Sequence, residues 1–436
     1  LLHSVKDKEI PLETSEEAAA WCESLGLTNE TVIYIYGIGT GLYYKAIQSW
    51  LHADKQHFVV FLEDDLAFIK NFFKTTNATE LLKDPQVRLI YFSSLKEADE
   101  AFDPLYWDFV LTQMHVTSLK FYGERRAEEF KELKQKIIFD ASVKNGLIEE
   151  YLKHGISFFK NYYSNLLLLS ESWRGDRLFG KFQGVPAIIC GAGPSLDKNV
   201  EQIRSVLDKA LVFGGGSALN ALSSRNILPH FGIGIDPNPT QQFRLKTNKA
   251  YEVPLFYRNR MHFEAFRLIH GPRLYIYGAG GYDIGDHFDE TFSLQGEWID
   301  EGHNVVNFGL ELALRLGCNP ILLTGVDLAY TDMQAYATGV VDDTRIYEDV
   351  LKTEDFDTSA LLKQDIDGKP IYTLWKWIAE SHWIGDFAGT HKEAKIINCT
   401  EGGLGMPGVP NMTLKEASDA FFKQSYGAHF SCAPGS

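Results

Sequence analysis

Short apolar runs alternate with segments of helical spacing along most of the chain. In the first quarter of the sequence, apolar runs fall at 31–36, 58–62, 87–92 and 109–111, and a helix through Trp50 is predicted between the first two. Short apolar runs joined by helix-length segments are typical of βαβ units with parallel strands. The pattern predicts a Rossmann-like domain over residues 1–115.

The same alternation returns in the middle of the chain. Between the two regions, residues 121–172 are charged and carry apolar side chains at helical steps, which predicts a helical connector over 116–175. The fold class is therefore α/β, with a doubly wound central domain at 176–345 and a mixed carboxyl-terminal segment at 346–436 that closes its cleft. The central strands are predicted at 187–190, 211–214, 231–235, 255–257, 274–277 and 321–324.

A glycine turn follows the first of these central strands. Gly191 and Gly193 permit backbone angles and close approaches that a side chain forbids, and Pro194 can rigidify the entry to the next helix. Ser195 and Asp197 offer oxygens that cap the helix. The free amides at this helix start predict an anion site, and a tight turn without a ligand is the alternative.

Small or acidic residues also follow the second, the third and the last of the central strands. Gly216 and Ser217 follow the second central strand, Asp236 follows the third, and Gly325 and Asp327 follow the last. In a doubly wound sheet the carboxyl ends of the strands meet at one crevice. We therefore expect these loops to converge on one ligand, although a lone Asp at a strand end often only caps the next turn.

The amino-terminal region has its own glycine-rich turn, at Gly37, Gly39 and Gly41. Glu63 ends the second strand, where dinucleotide-binding folds hold a ribose. A nucleotide site is one interpretation of these residues. Tight packing of the helix on the sheet is the other, and we favour it.

Composition and charge exclude several classes of protein. The chain has 436 residues, 42 basic and 58 acidic, and its net charge of −16 disfavours a nucleic acid partner. There is no apolar run long enough for a membrane span and no signal-peptide pattern. Five scattered cysteines predict a reducing, cytoplasmic environment and no zinc site. The acidic stretch at 282–289 is expected to be a solvated loop, so no metal site is predicted.

Four ordered segments resemble a known family. They are PAIICGAGPSLDKN at 186–199, ILPHFGIGIDPNP at 227–239, LELALRLGCNPILLTGVDLAYTD at 310–332 and INCTEGGLGMPG at 397–408. Together they are similar to the motility-associated-factor (Maf) flagellin glycosyltransferases and to the related hydroxymethylpterin pyrophosphokinase-like proteins. The turn at 193–196 and the strand end at 325–327 also resemble bacterial sialyltransferases, which implies a sialyltransferase-like central domain.

The resemblance implies three groups of site residues. Asp236 and Tyr330 are among its expected catalytic side chains, and His382 is added as a candidate base from its residue type in a tryptophan-rich segment. The loop at Glu401, Gly402 and Gly403 matches the family's TEGG sequence and is expected to close over the sugar or the acceptor from a mobile segment. The implied nucleotide-binding residues are Gly191, Gly193, Pro194, Ser195, Leu196, Gly216, Ser217, Gly325 and Asp327.

The implied reaction is inverting transfer of a nonulosonic (sialic-acid-like) sugar from a cytidine-monophosphate donor to a protein Ser/Thr hydroxyl, as on flagellin. It requires no cofactor. Tyr330 would assist the departing phosphate, and His382, His391 or a carboxylate would serve as the base. The chain departs from the family after YTD, because Tyr336 stands where relatives usually have His.

Two alternatives remain open from the sequence. The first is a pyrophosphokinase that binds ATP in the same turn, holds magnesium on Asp236 and Asp327, and acts on a hydroxymethylpterin-like alcohol. The second is a nucleotide-binding or scaffold protein without catalysis.

Overall fold

The computed structural model describes residues 13–246, 252–278, 283–300, 302, 304–340 and 360–427. The chain divides into two compact units, Leu1–Glu149 and Glu150–Ser436. The predicted boundaries near residues 115, 175 and 345 remain predictions. Among the described residues, no helix combines the length and the apolar character that a membrane span requires.

The first unit contains a parallel four-stranded sheet in the order β3-β2-β1-β4. Its strands are β1 (Val32–Tyr36), β2 (Phe58–Glu63), β3 (Val87–Tyr91) and β4 (Met114–Ser118). Its shorter helices are α1 (Ser15–Ser24), α2 (Leu42–Leu51), α3 (Leu66–Phe72), α4 (Ala78–Lys83), α5 (Asp99–Asp108) and α6 (Lys120–Arg125).

The predicted strand at 109–111 is wrong. Residues 99–108 form α5, and Leu111 just beyond it has a φ of 57°. A left-handed residue breaks an extended run, so the apolar side chains there end a helix, and the edge strand begins three residues later at Met114.

A single long helix, α7 (Ala127–Leu166), occupies most of the predicted connector, and the boundary between the two units falls within it. The helical prediction for this region is confirmed.

The second unit contains a parallel eight-stranded sheet in the order β14-β11-β6-β7-β8-β9-β10-β5. Its strands are β5 (Trp173–Arg174), β6 (Ala187–Cys190), β7 (Leu211–Gly215), β8 (Phe231–Gly234), β9 (Leu255–Tyr257), β10 (Arg273–Tyr275), β11 (Ile321–Thr324) and β14 (Ile396–Asn398). A separate antiparallel hairpin consists of β12 (Leu361–Gln364) and β13 (Pro370–Thr373).

The helices of this unit cover the sheet. They are α8 (Leu196–Ser205), α9 (Gly216–Ser224), α10 (Thr240–Lys246), α11 (Phe263–Arg267), α12 (Asp283–Thr291), α13 (Val305–Leu316), α14 (Trp375–Thr390) and α15 (Leu414–Phe421). Residues 283–289 thus belong to a helix and not to the expected loop.

Alternation along β6 shows how the two faces of the sheet are packed. Ala187 and Ile189 join the apolar cluster that contains α13 and α14, whereas Ile188 and Cys190 join the cluster that contains α8, α9 and α15. Successive side chains of a strand point to opposite faces, and helices cover both. The α/β fold with parallel sheets is therefore as predicted.

Strand order also explains where a ligand can reach the sheet. From β6 the chain adds β7 to β10 on one side and then returns to add β11 and β14 on the other. A crevice forms at the carboxyl edge where the order reverses, between β6 and β11. The carboxyl-terminal segment contributes to the sheet itself, since Ile396 of β14 pairs with Ile321 of β11.

Candidate functional site

A cavity of about 360 Å³ opens at the carboxyl ends of β6, β7, β8 and β11. This volume lies within the range of small-molecule sites. The loops after these strands therefore meet at one cavity, as predicted. The predicted site residues that line it are Gly191, Gly193, Gly216, Ser217, Asp236, Gly325 and Asp327.

The two glycines after β6 are required by close approach and not by unusual backbone angles. A Cβ atom on Gly191 would lie 2.3 Å from the carbonyl oxygen of Gly325, and one on Gly193 would lie 2.1 Å from Oδ1 of Asp327. Neither glycine has a positive φ. The turn is thus pressed against the end of β11, and any larger residue would separate the two loops.

The carboxylate of Asp327 fastens this turn. The backbone nitrogen of Ser195 lies 3.1 Å and 3.2 Å from its two oxygens, and the Ser195 hydroxyl donates to Oδ1 at 2.8 Å. The Thr331 hydroxyl donates to Oδ2 at 3.1 Å. Asp327 is 2% exposed. Burial raises the pKa of its carboxyl to about 6, against the lowering effect of these donors.

The start of α8 is consequently occupied by the protein's own carboxylate. Ser195 is fully buried and makes no side-chain cap, which corrects the capping role expected for it. Leu196 lies in the core, and neither these two residues nor Pro194 lines the cavity. Asp197 accepts hydrogen bonds from Arg225 and from the Thr338 hydroxyl. The carboxylate of Asp327 therefore takes the position expected for a bound anion at the Ser195 amide.

The start of α9 is the helix end that faces the cavity. Gly216, Ser217 and Ala218 form its first turn, and all three line the cavity. No side chain caps this helix start. Backbone amides and the positive end of the helix dipole favour an anion here. Arg260, half-buried, lines the same cavity and adds a positive charge.

Asp236 organises the loop after β8. Its Oδ1 accepts a hydrogen bond from the Asn238 nitrogen at 2.9 Å, and its Oδ2 accepts one from the Gln241 amide at 2.6 Å. All three residues line the cavity. Both carboxylate oxygens are thus used in positioning the loop. Among the described residues, no group of three or more His, Cys, Asp or Glu side chains has the arrangement of a metal site.

Glu380 on α14 lines the cavity, and the pKa of its carboxyl suits proton transfer at neutral pH. Burial raises the pKa of its carboxyl to about 7, and a hydrogen bond with Asn304 and the charge of Lys376 oppose that rise. Asn304 also caps α13, where its Oδ1 accepts from the nitrogens of Val306 and Asn307. One amide side chain therefore fixes a helix start and holds the Glu380 carboxylate.

His382 does not line this cavity. Each residue of an α-helix is turned about 100° from the last, so His382 points about 200° away from Glu380. It is exposed and lines a second cavity together with Ile378 and Ser381. His382 therefore lies at a different cavity from Glu380, and its role as the base remains a prediction. His391 lies elsewhere too, at a third cavity beside Glu393.

Tyr330 lies beside the cavity without lining it. Its ring contacts that of Trp377 edge-on at a centroid distance of 4.8 Å. Trp377 and Tyr336 line the cavity themselves. Burial, with the neighbouring Tyr336, raises the pKa of the Tyr330 hydroxyl. The phenol next to the ligand space is therefore that of Tyr336 and not that of Tyr330.

The TEGG loop is held against α8 and the loop after β11. Oε1 of Glu401 accepts a hydrogen bond from the Asn199 amide at 2.7 Å, and its carbonyl oxygen accepts one from Lys198. A Cβ on Gly403 would lie 2.2 Å from the carbonyl oxygen of Asp327. None of Glu401, Gly402 and Gly403 lines the cavity. The loop supports Asp327 from behind the site and is not the expected cover.

The glycine turn of the first unit is satisfied internally. Oε2 of Glu13 accepts hydrogen bonds from the nitrogen and the hydroxyl of Thr40, at 2.9 Å and 2.5 Å. A Cβ on Gly39 would lie 1.7 Å from the other oxygen of Glu13. As on α8, a carboxylate of the protein occupies the place that a phosphate would take.

Glu63 is likewise committed to the fold. It is fully buried, and it accepts hydrogen bonds from the nitrogens of Ile38 and Asp65 and from the Tyr122 hydroxyl at 2.6 Å. The favoured interpretation of this turn, packing without a ligand, agrees with these contacts.

Several cavity residues escaped the sequence analysis. Asn304 had a recognisable signal, since Asn before a long apolar run is typical of a helix cap. Glu380 had none, because a single acid between tryptophans does not reveal which helix face meets the sheet. Other missed polar residues are Asn238, Gln241 and Arg260.

Comparisons with known proteins agree with this architecture. The fold and its cavity place the chain in a class of parallel α/β proteins: the solved structure of MAf glycosyltransferase from Magnetospirillum magneticum AMB-1 matches 96% of this chain with a TM-score of 0.56 at 16% identity. This chain spans 65% of that protein's chain.

A family model matches the middle of the chain. Residues 156–333 match the family described as MptE-like, 6-hydroxymethylpterin diphosphokinase MptE-like. An uncharacterized protein of Treponema pallidum (strain Nichols) is 45% identical over 51 residues, which are 12% of this chain and 24% of that protein. Residues 156–333 are therefore similar to MptE-like proteins, and the fold of the chain is similar to that of the MAf structure, as the sequence motifs predicted.

Proposed function

We propose that this protein is a glycosyltransferase that takes a sugar from a nucleotide donor in the cavity at the edge of the eight-stranded sheet. The observation that carries the proposal is the grouping, in one cavity, of the open start of α9, Arg260 and Glu380. The start of α9 and Arg260 can bind a phosphate, and Glu380 can accept the proton of a hydroxyl nucleophile. Likeness to a MAf glycosyltransferase fold over 96% of the chain supports the same reaction class.

The donor phosphate is assigned to the first turn of α9. Amides of Gly216 and Ser217 would donate to its oxygens, and Arg260 would offset its charge. Tyr336 lines the same space and would donate to the leaving phosphate, the role first expected of Tyr330. Gly191 and Gly193 leave room for the donor by keeping the floor of the cavity free of side chains.

Glu380 is proposed as the general base. A carboxylate with a pKa near 7 accepts a proton effectively at neutral pH. In the transfer, the acceptor hydroxyl gives its proton to Glu380 and its oxygen bonds to the anomeric carbon. The bond from that carbon to the phosphate breaks, and the phosphate retains the electron pair. Attack from the opposite side would invert the anomeric configuration.

The finer proposal is a cytidine-monophosphate nonulosonic donor and a Ser/Thr hydroxyl of a flagellin-like protein as acceptor. It follows from the motifs at 186–199 and 310–332, which resemble Maf proteins and sialyltransferases. Calorimetric titration with cytidine monophosphate, uridine diphosphate and ATP, each with and without magnesium, tests it. Metal-independent selectivity for cytidine is expected, and binding of ATP alone would overturn it.

The second candidate is a magnesium-dependent diphosphokinase, which the match of residues 156–333 to the 6-hydroxymethylpterin diphosphokinase MptE-like family favours. It requires carboxylates for magnesium. Asp236 and Asp327 are the acids available at the strand ends, and hydrogen bonds within the fold already engage both. Binding of ATP that depends on magnesium would support this candidate. Absence of binding by every nucleotide would support a scaffold role.

A further inference from the structure

The second half of α7 has an apolar face that is exposed along its length. Exposure ranges from 41% for Tyr163 to 82% for Leu167. We call this the outer face of α7, and it consists of Leu152, Ile156, Phe159 and Tyr163 together with Leu167, the residue directly after the helix. Surface helices normally carry polar side chains toward water, so a continuous apolar stripe indicates an interaction surface.

The opposite side of the same helix is firmly attached to the second unit. The Asn161 amide donates to the carbonyl oxygen of Pro237 at 2.9 Å, and the Asn165 amide donates to that of Met261 at 2.7 Å. Tyr162 is 1% exposed, and its hydroxyl donates to the carbonyl oxygen of Gly285. The helix therefore presents its outer face on a fixed support.

The residues of the outer face are spaced along α7 as in the contact seam of two packed helices. Its first four members follow one another at steps of four, three and four residues, which is the repeat of a two-helix seam. In an antiparallel pair of identical helices, Ile156 would face Phe159 of the second copy, and Leu152 would face Tyr163 of the second copy. Each aliphatic side chain then packs on an aromatic one.

Gly155 gives an independent reason for a second helix. It lies beside Ile156 in the helix interior, and a Cβ atom placed on it would meet nothing within 4 Å. A glycine in a helix interior costs about 1 kcal/mol relative to alanine, and among the described residues no contact at this position requires it. Close approach of another helix backbone would account for it.

Neighbouring residues on α12 enlarge the surface. Tyr163 contacts Phe288 at a centroid distance of 6.1 Å, and Phe288 stacks on Phe292, which is 52% exposed. The rim carries both signs of charge, with Lys160 exposed on α7 and Asp286 and Glu290 exposed on α12. A twofold arrangement can pair these opposite charges. Such pairing matters because two chains of net charge −16 repel each other.

We propose that two copies of this chain associate through the outer face of α7, in an antiparallel twofold helix pair extended by the aromatic side chains of α12. A seam of 16 residues is about 24 Å long, which is short for a stable dimer, so the α12 aromatics are needed to complete the interface. This assembly is independent of the proposed reaction.

Sedimentation equilibrium of the full chain across a dilution series tests the proposal. The unsubstituted protein is expected to be a dimer, and Ile156→Glu is expected to raise the dimer dissociation constant about thirtyfold because it buries a charge in the seam. Leu82→Glu is the matched control: Leu82 is 52% exposed on α4, outside this surface, and its substitution should leave the dimer intact.

Gly155→Leu is the second variant, and it separates association from folding. Leucine favours the helix, so the monomer should melt at the same or a higher temperature while the dimer weakens. A chain that is monomeric at every concentration would overturn the proposal. So would a dimer that both Ile156→Glu and Gly155→Leu leave unchanged.

Discussion

Ser195 and Asp327, which are 132 residues apart in the sequence, are joined by hydrogen bonds from both the nitrogen and the hydroxyl of Ser195. The contact ties the loop after β6 to the loop after β11, the two strands between which the sheet order reverses. It holds the two loops together at the floor of the cavity and occupies the Ser195 amide at the start of α8.

Loss of this contact should destabilise the second unit. Asp327→Ala leaves the Ser195 nitrogen and hydroxyl buried without an acceptor, and we expect the free energy of unfolding to fall by about 3 kcal/mol. Urea denaturation followed by tryptophan fluorescence measures the change. Asp367→Ala, at an exposed carboxylate of the β12–β13 turn, should cost no more than about 0.5 kcal/mol. Equal denaturation midpoints for the two variants would contradict this account.

Glu63 should give the first unit a dependence of stability on pH. Burial raises the pKa of its carboxyl to about 7 from an ordinary value of 4.5. Between these values the folded state holds the proton more tightly than the unfolded state does. The stability that Glu63 contributes is therefore fully present below pH 4.5 and is lost as the pH rises through 7.

Glu63→Gln removes this titration. The difference in unfolding free energy between the unsubstituted chain and the variant should decrease from pH 4.5 to pH 7. Glu97→Gln, the same substitution at an exposed position of the same unit, serves as the control. A difference that stays constant over this range would show that Glu63 is ionised in the folded protein throughout.

Glu380 should control the pH profile of sugar transfer. If it accepts the acceptor proton, kcat/KM rises as the pH increases through about 7, the pKa of its carboxyl. Glu380→Gln should lower kcat about 10²-fold to 10⁴-fold while leaving the dissociation constant of the nucleotide unchanged. His382→Ala, on the other side of α14, should leave both quantities near those of the unsubstituted protein. The assignment fails if His382→Ala removes activity and Glu380→Gln does not.

Arg260 should contribute to donor binding through charge. Arg260→Met retains much of the side-chain volume and removes the guanidinium, so the dissociation constant of the nucleotide should rise about thirtyfold. Increasing salt should weaken binding to the unsubstituted chain more than to the variant, because the variant lacks one screened interaction. Arg204→Met, an exposed substitution on α8, is the control. Titration calorimetry at two salt concentrations gives both comparisons.

Apolar patterning predicts nine of the strands, β1 to β3 and β6 to β11, and the edge of the sheet at which the candidate site lies. Apolar runs such as 187–190 and 321–324 coincide with β6 and β11 because a strand buried on both faces needs apolar side chains at every position. The glycine and acidic residues that follow the strands meet at one cavity because parallel strands end at one edge. Local pattern was sufficient for both conclusions.

Tertiary structure decided which groups at that edge are available to a ligand. Gly191 to Ser195 has the sequence of an anion-binding turn. Asp327, distant in the sequence, nevertheless accepts from the Ser195 amide, and the carbonyl oxygens of Thr324 and Gly325 accept from the amides of Gly191 and Gly193. Helix orientation decided that Glu380 and not His382 faces the cavity, since the sequence gives the spacing along α14 but not its rotation against the sheet. Hydrogen bonds and burial between residues far apart in the chain fix both outcomes, and no local pattern encodes them.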